Sequence, residues 1–164
     1  MGGCNLITLV RSLFVLSYSM FWGGLTCYAG FVLRINHQVI VDPMLGGLIT
    51  QRVTVLLQLL GAITVVLMLA NAFQVSLVCQ RYAFWLAFWA IVLGVALGGL
   101  VIVHRRLDTV IDIDALEVIN REVFDRNHRR YNQLTTIEWI ASLIYLPTTI
   151  AAWQKVDRQL DRTA

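Results

Sequence analysis

Charge is scarce in this chain. Only 14% of its 164 residues are Asp, Glu, Lys or Arg, whereas 58% are hydrophobic, and the mean hydropathy is +0.70. A water-soluble domain of this size needs more polar surface than that, so the soluble globular class is excluded. Cysteine is also sparse. Cys4, Cys27 and Cys79 are scattered and form no C-x-x-C pair, which excludes a disulfide framework and a thiolate metal site. The sequence has no P-loop with its lysine, no H-E-x-x-H and no nucleophile–base pairing at a diagnostic spacing, so no enzymatic activity is expected.

What the chain has instead is long apolar runs. Ser12–Leu33, Val53–Phe73, Tyr82–Val103 and Leu134–Trp153 are each about as long as the roughly 20 residues that cross a bilayer as a helix. Little remains but connections and tails. The expected fold is a single domain over 1–164: an all-α integral membrane protein, a bundle of four transmembrane helices. The first run is too long for the apolar core of a signal peptide. Arg34 follows it without a small-x-small cleavage site, so it reads as a retained helix. The opening "MGGCNL" offers Gly2, but Leu6 stands where a myristoylation motif wants Ser or Thr, and no lipid anchor is expected.

The ionic groups are concentrated in "RRLDTVIDIDALEVINREVFDRNHRR", Arg105 to Arg130, which holds six arginines and six carboxylates. It is the longest connection, between the third and fourth runs. Asp114 followed by Glu117 has the form of a capping box. Leu116, Ile119, Val123 and Phe124 continue as an apolar stripe, and Glu122 with Arg126 is an i,i+4 pair of the favoured polarity. An extra amphipathic helix is therefore expected from about Ala115, running into the fourth span. Four spans put both termini on one side. That terminal side carries Arg11, Arg81, Lys155, Arg158 and Arg162. The opposite, loop side carries Arg34, Arg52 and the six arginines of the connection. The positive-inside rule then expects the 104–132 loop in the cytoplasm and the termini outside it. Basic residues flanking spans meet lipid headgroups, so the net charge of +3 points to the bilayer and not to nucleic acid.

Polar residues within a span are costly and face other helices. In span four Glu138, Ser142, Tyr145 and Thr149 recur at helical spacing. Span two carries Thr54, Gln58, Gly61, Thr64, Met68 and Asn71, and span one Ser12, Ser19, Gly23, Thr26 and Gly30. Span three has Ala90, Gly94 and Gly98, a small-xxx-small ridge suited to close packing, as does Gly23 beside Trp22. Glu138 is the only carboxylate inside a span. It needs a partner or a proton, and Arg34 or Arg52, which bound the spans on its own side, are the expected ion-pair partners. The alternative is a titrating carboxyl that carries protons or binds a cation. His37, His104 and His128 all fall on the loop side and are weak candidates for haem or metal ligation. No cofactor and no metal are otherwise expected. Tyr82, Tyr131 and Trp153 stand near span ends as interfacial anchors.

Three stretches carry a family resemblance: "FWGGLTCYAGFVLR" in span one, "TQRVTVLLQLLGAI" leading into span two and "NHRRYNQLTTIEW" before the last span. Their layout resembles the small four-helix membrane family that includes transmembrane protein 205-like proteins, a domain of unknown function. The resemblance implies a fold and no settled chemistry. The functional expectation is a non-enzymatic polytopic membrane protein, a structural or accessory subunit that meets other membrane subunits or further copies of itself. The alternatives are a small transporter or ion-conducting protein with an inward polar stripe, and a haem- or metal-binding electron-transfer subunit.

Overall fold

In the computed structural model, residues 2–40, 43–112 and 117–162 are described, and nearly all of them are helical. Helix α1 spans Gly2–Cys27 and passes through a π-helical turn, Tyr28–Val32, into α2, Leu33–Val39. Helix α3 spans Pro43–Ser76, α4 Gln80–Asp108 and α5 Arg121–Leu160. Three helical segments are long and apolar enough to cross a membrane: Leu45–Ser76, Gln80–Asp108 and Arg121–Leu160. The second, third and fourth apolar runs lie within them. The first run is helical throughout but straddles α1, the π-helical turn and the start of α2.

Between α4 and α5 the chain reverses through a short antiparallel ribbon, Ile111–Asp112 (β1) against Glu117–Val118 (β2), with Ile111 opposite Val118. The N–H of Ile119 donates to the Val110 carbonyl at 3.0 Å. This corrects the expected helix start near Ala115. Glu117 lies in a strand, and the first helical turn is capped by Asn120, whose Oδ1 accepts the Val123 N–H at 3.1 Å. Asparagine is as good a cap as aspartate, and the ribbon uses the residues upstream. Asp114, Ala115 and Leu116 lie outside the described residues. The continuation into span four is as expected, and Arg126 binds Glu122 at 2.8 Å. The amphipathic segment is thus the first part of α5, not a separate helix. With 40 residues α5 is about 60 Å long, roughly twice the hydrocarbon thickness, so its charged N-terminal turns stand clear of the apolar zone.

Helix α1 packs on α3, α3 on α4 and α4 on α5, and α1 returns to α5 through side chains. Arg11 grips Asp157 with two hydrogen bonds of 3.1 and 2.9 Å and lies over the Trp153 ring. Trp139 Nε1 donates to Thr26 Oγ1 at 3.2 Å. The core gathers Phe14, Tyr18 and Phe21 of α1, Met68 of α3, Leu86 and Leu93 of α4, and Tyr145 of α5.

The small-residue ridge needs correcting in detail. Ala90 is fully buried and Gly94 touches Val65, with a Cβ there falling 3.3 Å from Val65 Cγ1, but Gly98 is exposed and would meet nothing. The reason is the helical period. A step of four residues advances 400°, so each step drifts about 40° round the helix, and two steps carry Gly98 off the face that Ala90 occupies. The close contact falls on its neighbour Gly99, where a Cβ would sit 3.1 Å from Leu134 Cδ1. Likewise a Cβ on Gly23 would meet nothing, while one on Gly24 would fall 3.1 Å from Leu57 Cδ2. In α1 the buried line is Phe14, Tyr18, Phe21, Leu25 and Tyr28, whereas Ser12, Ser19 and Gly30 are exposed. Gly99→Leu is expected to lower stability by about 1–3 kcal/mol through overpacking, and Gly98→Leu to leave it unchanged. Thermal unfolding in detergent, followed by circular dichroism, separates the two; equal losses would mean that α4 is rotated from the orientation described.

Candidate functional site

On the terminal side of the bundle the buried polar groups are largely hydrogen-bonded to one another. Tyr145 Oη donates to the Met68 carbonyl at 2.8 Å and accepts from Asn71 Nδ2 at 3.1 Å. Asn71 Oδ1 accepts the Trp153 indole N–H at 2.8 Å. Tyr18 Oη donates to the Ser142 carbonyl at 2.6 Å, and Ser17 and Thr64 hydroxyls meet at 2.9 Å. Such a network fixes helix order and rotation because each buried group has its partner on another helix.

Towards the loop side the pattern changes. Glu138 is 2% exposed, and its Oε1 has no hydrogen-bond partner. Gln58 Nε2 and Tyr28 Oη are buried without partners too. These three groups belong to different segments, and Tyr131 stands among them: its hydroxyl is near Thr54 and Gln58 and within electrostatic reach of Glu138 and Tyr28. Tyr28 in turn faces Thr50, whose hydroxyl donates to the Gly46 carbonyl at 2.9 Å. The positioning is helical arithmetic. Thr50, Thr54 and Gln58 are spaced by four along one face of α3, and Tyr131 precedes Glu138 by seven, two turns back on the same face of α5. Tyr28 is delivered by the π-helical turn, where an i→i+5 bond inserts an extra residue and rotates the side chains beyond it to new directions; such turns frequently mark functional positions. Two other buried polar atoms without partners, Trp22 Nε1 and Thr149 Oγ1, belong to neutral side chains outside the set around Tyr131.

The expected ion pair is not formed. Neither Arg34 nor Arg52 reaches Glu138 among the described residues; the ion pairs present are Arg11–Asp157, His104–Asp108, Arg121–Asp125 and Arg126–Glu122. Both arginines are exposed on the outer surface of their helices. A guanidinium there keeps its hydration, whereas reaching Glu138 would bury it between α3 and α5, and desolvation opposes that.

The histidines stay apart in role. His104 Nε2 lies 3.9 Å from Asp108 Oδ2, while Gln51 Nε2 donates to Asp108 Oδ1 at 2.6 Å. His128 is exposed and stacks on Phe124, ring centroids 5.8 Å apart. His37 lies in α2, its side chain outside the described residues. Among the described residues no three His, Cys, Asp or Glu side chains gather as metal ligands.

Reasoning from sequence reached Glu138, Thr54 and Gln58 as members of inward stripes, and their burial bears this out for Glu138 and Thr54. It missed Tyr28, and it read Tyr131 as an interfacial anchor. The seven-residue spacing of Tyr131 from Glu138 was the available signal. No family model, curated protein or solved structure matches this chain.

Chemically the cluster offers one carboxyl, one amide donor and two phenols, with Glu138 and Tyr28 buried and Gln58 and Tyr131 half-buried. An unpartnered carboxylate there carries a desolvation cost of several kcal/mol. It is relieved by a proton on Glu138 or by a cation beside it.

Proposed function

We propose that this chain is a non-enzymatic multi-pass membrane protein with four membrane-crossing helices, a binding or accessory subunit that takes up a proton or small cation at Glu138 from the loop side. One observation carries the reading: Glu138 is buried with its Oε1 lacking a hydrogen-bond partner, in the neighbourhood of Gln58 Nε2 and Tyr28 Oη, which lack one too. A first crossing is supported by the continuous helical path from Arg11 to Arg34, about 34 Å at 1.5 Å per residue, which matches the roughly 30 Å of hydrocarbon.

A through-pathway is less well supported than a one-sided site. Beyond Glu138 the hydroxyl protons go to backbone carbonyls: Ser142 to Glu138, Tyr18 to Ser142 and Tyr145 to Met68. The next groups, the Asn71 amide and the Trp153 indole, hold their protons firmly. Among the described residues, these hydrogen bonds give a proton on Glu138 no exchangeable chain leading to the terminal side.

The test uses the full chain, in detergent for uptake and in liposomes for flux. Proton release and uptake by an indicator dye and sodium binding by radiolabel should each be read for the wild type and for Glu138→Gln. A site at Glu138 predicts uptake of one of the two ions, lost in the variant, with no net flux across the liposome. Uptake unchanged by the substitution removes Glu138 from the function. Flux that depends on Glu138 replaces the one-sided reading with a transporter.

A further inference from the structure

The loop side carries a second feature, independent of the Glu138 cluster. Arg52 on α3, Arg105 and Arg106 on α4, and Arg129 and Arg130 on α5 are all exposed, and none forms an ion pair among the described residues. The described carboxylates nearby are engaged elsewhere. Glu122 and Asp125 pair with Arg126 and Arg121 on their own helix, Asp108 is held by Gln51 and His104, and Asp112 has its own interaction.

The five guanidiniums share one depth. A Cβ on Gly99 would touch Leu134, which fixes the register of α4 against α5. From that contact Arg105 lies six residues along α4, about 9 Å, and Arg129 five residues back along α5, about 8 Å in the same direction. Arg52 follows Gln51, which bonds to Asp108 three residues beyond Arg105. The arginines of α4 and α5 lie just outside an apolar run, Arg105 two residues after Val103 and Arg130 four before Leu134, whereas Arg52 precedes Val53 within the apolar segment Leu45–Ser76. The helix dipole accounts for Arg105 and Arg106, which fall in the last turn of α4. It does not account for Arg129 and Arg130, which stand well inside α5, two turns from its start. Four like charges on two packed helices, none paired with a carboxylate among the described residues, repel one another and favour an anion supplied from outside the chain.

We infer that this ring of arginines is a binding surface for the headgroups of anionic phospholipids. The depth argues for a lipid as the source of the phosphate. The guanidiniums of α4 and α5 stand just beyond the apolar runs Tyr82–Val103 and Leu134–Trp153, at the level expected for bilayer phosphates, and Arg52 adjoins them beside Gln51.

The experiment is lipid retention by the purified full chain. Protein exchanged into detergent with equal phosphatidylglycerol and phosphatidylcholine is measured by native mass spectrometry at low salt. Wild type is expected to keep the anionic lipid in excess, with the preference falling about fivefold for each arginine removed, so that Arg129→Gln/Arg130→Gln loses most of it. Arg129→Lys/Arg130→Lys keeps the charge and should keep the preference. Equal retention of the two lipids by the wild type overturns the inference. So does loss of the preference in the lysine pair as well as the glutamine pair, which would assign the effect to damaged packing. Displacement of the lipid by millimolar inorganic phosphate, with phosphate itself bound saturably, would make the ligand a soluble anion instead.

Discussion

Tyr145→Ala is expected to destabilise the protein by about 4 kcal/mol, the range for removing a large aromatic side chain from a packed core. Tyr145 is fully buried, and its ring lies 5.6 Å from that of Phe14 on α1. Its hydroxyl joins Met68 and Asn71 of α3 to α5. Truncation opens a cavity between three helices and leaves the Met68 carbonyl without that bond. Tyr145→Phe keeps the ring and removes only the hydroxyl, so its cost should be about 1 kcal/mol, the usual size of an interhelical hydrogen bond in membranes. Unfolding in SDS–detergent mixtures measures both. A loss below about 1 kcal/mol for the alanine variant would show that α1, α3 and α5 do not depend on this ring for their association.

Gly61→Leu should cost about 3 kcal/mol, near the upper end of overpacking effects. A Cβ at Gly61 would lie 3.0 Å from Phe21 Cε2 and 3.3 Å from Leu97 Cδ1, so α3 is wedged there between α1 and α4. Phe21 is itself buried and has little room to move aside, unlike the flexible leucine tip that faces Gly99. Gly61→Ala tests the same contact at a smaller volume. The two variants should fall in order of size in the same unfolding assay; a leucine variant as stable as wild type would place Gly61 on a lipid-facing surface.

The stability assay also bears on Glu138. Removing an unpartnered buried polar group commonly stabilises a fold, because the desolvation cost disappears with it. Glu138→Leu is therefore expected to raise stability by about 1–2 kcal/mol while abolishing ion uptake, the pattern of a residue kept for function at the expense of the fold. An ion-paired Glu138 would give the opposite sign.

Sequence alone determined that the chain is helical and apolar enough for a membrane. Runs of about 20 apolar residues are a one-dimensional property, and bilayer thickness sets the length they need. It determined the inward face of α5, because Glu138, Ser142, Tyr145 and Thr149 alternate steps of four and three and so hold one direction at 3.6 residues per turn; all four are buried. It determined the Glu122–Arg126 pair, which is local to one helix. Tertiary structure decided what depends on rotation and on neighbours. Steps of four alone drift round the helix, so Gly99 and not Gly98 meets α5. In α1 the large aromatic rings, not the serines, filled the space between helices, since burying their area gains more than burying a hydroxyl. The helix cap moved to Asn120 because a strand pairing, invisible to local pattern, took Glu117. Whether Glu138 meets an arginine was likewise a three-dimensional question: the side chains of Arg34 and Arg52 point outward and are exposed, and the cost of desolvating a guanidinium opposes turning them inward.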